Sequence, residues 1–203
     1  MLDIQELVKF VNFLLGKTYQ GDEIAVESDV IAKAFEECCA DARYHAPQTS
    51  EDDVFKGLAC SSNALPVFLY RLGNNCLKNN CDDKFLGAFH WLLRECCACE
   101  IYFNNEIGVG FKVVHGVGSI VGSRNRIGKG FTIYQGCTIG HKESGGPGNQ
   151  IGDNVTLYAG SMILGDNRIG NNVVIGANSL VISDIPDHTT CAGSPVSIRT
   201  NPA

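Results

Sequence analysis

Basic residues are not in surplus: 16 Lys and Arg stand against 22 Asp and Glu, a formal charge of −6. That balance argues against nucleic acid or an anionic membrane surface as the main partner. No run approaches the roughly eighteen consecutive apolar residues of a membrane span. The opening MLDIQELVKF carries Asp3 and Glu6 where a signal peptide would place lysines before an apolar run, so the expectation is a soluble, cytoplasmic protein. The ten cysteines lack the even spacing of a small secreted scaffold, and 203 residues need no staples; they read as reduced thiols. Cys96-x-x-Cys99 has no second ligand pair at metal spacing. It ends a helical stripe, and packing accounts for it without a metal.

What is present divides unevenly. Residues 1–99 hold 8 of the 10 cysteines but only 5 of the 23 glycines. In that half apolar residues recur at helical spacing: Ile4, Leu7, Val8, Val11, Leu14 and Leu15, closed by Gly16, then Val30, Ile31, Ala34, Phe35, Cys38 and Cys39, with Ser28 placed to cap. Further helices are expected at about 50–59, 63–78 and 82–98. Residues 1–99 therefore read as an α-helical domain.

From Ile107 the period becomes six. Ile127, Ile133 and Ile139 are followed, after a polar stretch, by Ile151, Leu157, Ile163, Ile169, Ile175 and Val181. This is the hexapeptide signature of a parallel β-helix, in which each short strand sends one aliphatic side chain into a narrow prism while Gly and Asn serve the corners. The fold class is α+β, an all-α N-terminal domain followed by a β-helix over 100–203. The repeat breaks twice. Between Val113 and Val121 the spacing is eight, with His115 in the excess, and between Ile139 and Ile151 the segment HKESGGPGNQ reads as an extruded loop at 141–150. Loops on a rigid scaffold carry chemistry without disturbing the stack.

His115, between aliphatic residues and glycine at the first break, is the candidate general base. Glu100 lies fifteen residues upstream, close to one coil of about eighteen, where a carboxylate would hold the ring in one tautomer. In the loop, His141, Lys142 and Glu143 are candidates for binding an acceptor.

FKVVHGVGSIVGSRNRIG, TIYQGCTIG, the ESGG loop, LYAGSMILGDNRIG, VVIGANSLV and IPDHTTCAGSPVSI resemble, in order and spacing, the serine O-acetyltransferase family, over about residues 64–198. The resemblance implies a left-handed β-helix and an acyltransferase enzyme that moves acetyl from acetyl-CoA to the hydroxyl of serine in cysteine biosynthesis, with no metal. It implies a homotrimer or dimer of trimers with sites between subunits, and the mechanism expected is direct transfer in a ternary complex. By position His115 matches the catalytic histidine and Glu100 an aspartate that orients it. Ala159, Gly160 and Ala177 match residues lining the coenzyme slot, and Ser144, Gly145 and Gly146 the loop over it. Three departures touch the acceptor: Val114 replaces an aspartate, Pro147–Gln150 replace an Arg-His pair, and Ala46 stands where a serine-binding aspartate is expected. The final NPA lacks the isoleucine-ended tail that docks into cysteine synthase, so that partner is not expected. A different hydroxyl acceptor, such as a sugar or natural-product intermediate, and a catalytically weak assembly partner are the alternatives.

Overall fold

The computed structural model describes residues 3–18, 26–143, 145–194 and 196–200. Five helices come first: α1 (Ile4–Leu15), α2 (Ser28–His45), α3 (Glu51–Cys60), α4 (Ala64–Lys78) and α5 (Asp83–Cys97). Their starts follow local chemistry. Asp3 accepts from Gln5 N at 3.0 Å, Ser50 and Asp53 form a reciprocal capping box, and Asp82 accepts from Lys84 N, each satisfying amides that a helix start leaves bare. Ser28 is the exception. It is the first helical residue, Glu27 occupies the cap without a side-chain bond, and it is Asp29 that accepts from Val30 N.

Among the described residues fifteen short strands follow. Face I of a three-sided prism holds β1 (Glu100–Ile101), β4 (Ile120–Val121), β7 (Thr138–Gly140), β10 (Met162–Leu164) and β13 (Leu180–Val181). Face II holds β2 (Glu106–Ile107), β5 (Arg126–Ile127), β8 (Gln150–Ile151) and β11 (Arg168–Ile169). Face III holds β3 (Lys112–Val114), β6 (Thr132–Tyr134), β9 (Thr156–Leu157), β12 (Val174–Ile175) and β14 (Thr189–Gly193), closed by the antiparallel β15 (Val196–Thr200). All other pairings are parallel, one coil to the next. The register pairs Glu100 with Ile120, Ile120 with Thr138, Thr138 with Met162 and Met162 with Leu180, so successive coils take 20, 18, 24 and 18 residues. The excess of two falls at the His115 turn and the excess of six at 141–149.

The six-residue period becomes columns inside the prism. Ile107, Ile127, Ile151 and Ile169 stack on face II, and Val113, Ile133, Leu157 and Ile175 on face III, all buried. The corners have columns of their own. At the I–II edge Asn105, Asn125, Asn149 and Asn167 are buried, and the carboxamide oxygens of the first three each accept the backbone N–H of the asparagine one coil on, at 2.8, 3.0 and 3.1 Å. At the III–I edge the inward column is Ser119, Cys137, Ser161 and Ser179.

The helical half closes the bottom of the prism. The first coil has carbonyls with no coil beneath them, and α4 meets these directly: Tyr70 Oη donates to Asn105 O, Arg71 to Ile107 O and Gly108 O, and Asn74 Nδ2 to Phe103 O and Asn105 O. Arg71 also forms a two-pronged ion pair with Asp41 of α2, both bonds 2.9 Å. Asp41 in turn accepts from Gly110 N and Phe111 N. Burial raises the Asp41 carboxyl, while the hydrogen bonds and charge of Arg71 and the two amides oppose that shift.

Candidate active site

The first break in the repeat becomes a tight turn on the III–I edge. His115 has φ +61°, a left-handed conformation uncommon for a residue with a side chain. Three contacts fix it: Val117 N donates to His115 O, Gly118 N donates to Ala98 O at 2.7 Å, and His115 N donates to Asn63 Oδ1 at 2.8 Å. Asn63 precedes α4 without capping it by its side chain, because that side chain holds the histidine turn. The His115 ring is exposed.

Glu100 opens β1, half-buried, and its backbone N–H donates to Ser119 O. Glu100 lines a cleft of about 290 Å³ with Arg94, Ala98, Cys99, Gly118, Ser119 and Ile120, two of which, Gly118 and Ser119, belong to the His115 turn. Among the described residues no hydrogen bond joins the Glu100 carboxylate to the His115 ring. Its charge instead acts on His90, whose ring packs on Phe103 at 4.2 Å between centroids. Burial depresses His90, Glu100 opposes this and Arg94 reinforces it.

The III–I edge also holds the slot candidates. Gly136 N donates to Val117 O, Gly160 N to Gln135 O and Asn178 N to Ala159 O, which stacks Ala159, Gly160 and Ala177 on successive coils above the His115 turn. A side chain at Gly160, with φ +70°, would meet Asn178 Oδ1 at 2.4 Å.

The loop candidates lie elsewhere. His141, Lys142 and Glu143 follow β7 on the I–II edge, the far side of face I from His115. His141 is half-buried, with Nε2 3.3 Å from Ser123 Oγ and Nδ1 buried without a partner among the described residues. Lys142 and Glu143 are exposed. Gly146 N donates to Glu143 O, and Gly146 O accepts from Arg124 Nε at 3.1 Å. Ser144 and the terminal NPA lie outside the described residues. The return segment is structural, since Gly148 passes against Arg124 O and Asn149 belongs to the asparagine column.

Several buried thiols are suppressed. Burial pushes the Cys39 thiol up to about 11 and raises Cys38 well above its ordinary value, and a hydrogen bond with Cys99, followed by burial, raises Cys97. Such thiols are poor nucleophiles at neutral pH. Among the described residues no group of three or more His, Cys, Asp or Glu could hold a metal ion, and no helix is long and apolar enough to cross a membrane.

Residues 150–183 match the family model described as "Bacterial transferase hexapeptide (six repeats)", so the β-helical half carries the repeat of the hexapeptide transferases. Within that class the likeness is to serine acetyltransferases. One from Staphylococcus epidermidis is 46% identical over 101 residues, covering 49% of this chain and 47% of the relative. The chain thus spans about half the length of the curated relatives it matches. A soybean serine acetyltransferase solved with serine aligns at TM-score 0.74 and 24% identity over 95% of this chain and 84% of that one. A serine acetyltransferase solved with CoA aligns at 0.76 and 22%, over 98% and 86%. The sequence matches support the serine O-acetyltransferase family, and the solved structures share the fold.

Proposed function

We propose that this protein is an acetyl-CoA-dependent O-acetyltransferase and that His115 is its general base. The observation that carries the reading is the His115 turn itself: a histidine in a left-handed backbone, ring exposed, on the same edge as the small-residue column Ala159, Gly160 and Ala177. A narrow column of this kind suits an extended pantetheine arm, with Gly145 and Gly146 of the loop over it. His115 takes the acceptor's hydroxyl proton as the oxygen attacks the thioester carbonyl, then returns a proton to the leaving thiolate. Glu100, uncommitted and beside the same turn, is the positioning residue for the imidazolium. Serine is the first acceptor to test, because relatives carry that name, with His141, Lys142 and Glu143 as its contacts.

In one chain the base and the loop lie on opposite edges of face I, so the complete site calls for a second copy. The outer side of face I favours this: Ile120 and Met162 are each 41% exposed and Ile182 57%, an apolar strip suited to burial between copies. We place the protein as a trimer or a multiple of it. The unpaired thiols suit the cytoplasm.

Thiol release from acetyl-CoA with serine tests the chemistry. His115→Ala should cost about 10²–10⁴-fold, the usual worth of a general base. Retention of more than about a tenth of the rate would remove His115 from that role. Sedimentation giving a stable monomer at micromolar concentration would defeat the intersubunit site.

A further inference from the structure

The corner between faces III and I repeats one backbone ladder. Gly118 N donates to Ala98 O, Gly136 N to Val117 O, Gly160 N to Gln135 O and Asn178 N to Ala159 O, and the four donors all have positive φ, +75°, +67°, +70° and +55°. The residues just before them therefore stand in one column: Val117, Gln135, Ala159 and Ala177. Three of these side chains are apolar, and a methyl group suffices on the two upper rungs. Gln135 is the exception. It is exposed; Cys137 Sγ reaches its backbone carbonyl at 3.8 Å, while among the described residues its carboxamide makes no hydrogen bond, so the corner does not need that side chain to form. Gln135 stands one rung above Val117, which follows His115 by two residues, and one rung below Ala159.

We propose that the side-chain amide of Gln135 is the oxyanion donor of the transfer, holding the acetyl carbonyl of the thioester beside the His115 turn. The inference rests on the transferase reading above. As the acceptor oxygen bonds to the carbonyl carbon, its proton passes to His115 and an electron pair moves onto the carbonyl oxygen. Collapse restores the carbonyl, breaks the C–S bond and sends the proton from the imidazolium to the thiolate. The negative charge on oxygen exists only between these events, so a donor aimed there stabilises the transition state more than the ground state. The ladder amides cannot supply it, because Gly118, Gly136 and Gly160 each donate to the coil below. Val117, Ala159 and Ala177 carry no side-chain donor. Strand spacing of about 4.8 Å puts Gln135 on the rung next to the base, and a neutral carboxamide donates there without competing for the acceptor's proton. Lys112, a cation of outer face III, belongs to the column of Thr132, two residues further from the corner than Tyr134. Tyr134 and Tyr158 precede Gln135 and Ala159, and their rings lie 4.9 Å apart between centroids. Aromatic surface thus borders the column on the face III side, and a hydrogen bond gains strength as water is displaced from around it.

The test is thiol release from acetyl-CoA with serine in the wild type, Gln135→Ala and Gln135→Glu, each with a kcat–pH profile. Gln135→Ala should lower kcat about 10²-fold, the usual worth of one oxyanion donor, with the KM for acetyl-CoA kept within about threefold. Gln135→Glu keeps the shape but has no donor once ionised, and at about pH 8 it should lose at least as much. The inflection of the profile should stay where it is in the wild type for Gln135→Ala, since His115 still sets it. An exposed position should leave the melting temperature within about 2 °C, which separates the loss of rate from loss of fold. A kcat for Gln135→Ala within about threefold of the wild type overturns the donor and leaves the transferase standing. So does a rise of about tenfold in the acetyl-CoA KM at unchanged kcat, which would make Gln135 a contact of the pantetheine arm. Gln135→Glu as active as the wild type also overturns it. Thiol release at the uncatalysed rate, or release unchanged by His115→Ala, overturns the transferase reading and the donor together.

Discussion

In the helical half Leu7, Phe35 and Phe68 are buried on different helices, each against neighbours of other types, whereas in the β-helix Ile127 lies on Ile107 and beneath Ile151. One half builds its core from unlike shapes brought together from distant positions; the other repeats one shape coil after coil. The difference decides where function gathers. The inward positions of a repeat have no room for a chemically distinct residue, so a turn such as that of His115 forms where the count of six is broken. The helices then secure those breaks from outside, as Asn63 does for His115.

The joint between the halves should give the largest stability effect. Asp41→Ala leaves the Arg71 guanidinium buried without its carboxylate, and breaking a buried pair in this way costs about 3–5 kcal/mol. A paired Asp41→Leu, Arg71→Met replacement should cost less, because no lone charge remains. Denaturant midpoints compare them, and equal losses would show that shape and not charge holds the joint. Next comes the asparagine column. Asn149→Ala removes the acceptor for Asn167 N, a loss of about 1–3 kcal/mol, whereas Asn79→Ala, at the exposed end of α4 where Nδ2 reaches Asn75 O, should stay near 0.5 kcal/mol. Similar losses at both sites would erase the contrast between the halves.

Smaller still in stability is the loop. Changing Lys142 and Glu143 together to Ala should leave the melting temperature within about 2 °C while raising the acceptor KM, measured by thiol release; an unchanged KM would show that the loop does not recognise the acceptor. The mildest effect is the titration of His90. Its folded value is depressed from 6.5, chiefly by burial, so below about 6.5 the unfolded chain binds a proton that the folded one resists. The neutral ring's contribution is therefore complete above about 6.5 and is lost as pH falls toward the depressed value. His90→Phe should reduce the fall in denaturant midpoint between about pH 7 and pH 5.

The columns were legible because a period of six survives in one dimension: Ile151 to Val181 can be counted without a structure, and so can the two breaks. The helical stripes were legible for the same reason, down to Gly16 at the end of α1. Partners chosen across the fold leave no such trace. Asp41 and Arg71 are 30 residues apart on two helices, and each alone reads as a solvated charge. Asn63 looks like an ordinary helix cap until His115 is found against it, 52 residues on. Tyr134 and Tyr158 are one long coil apart, and the extruded loop between them hides the match. The distribution of His115 and the loop over opposite edges was equally hidden, since spacing along the chain locates a break without showing which side of the prism it faces.

The carbonyls beneath the first coil, answered by Tyr70, Arg71 and Asn74, have a consequence for how far this architecture extends. Parallel coils are self-templating: the underside of one is shaped to receive the upper side of another, which is how stacked strands lengthen into filaments. Here the underside is already occupied by side chains of α4, and at the other end the reversed direction of β15 offers face III a mismatched border. Growth by stacking is thus blocked at the underside by α4 and hindered along face III at the other end, which leaves sideways contact as the route by which copies gather.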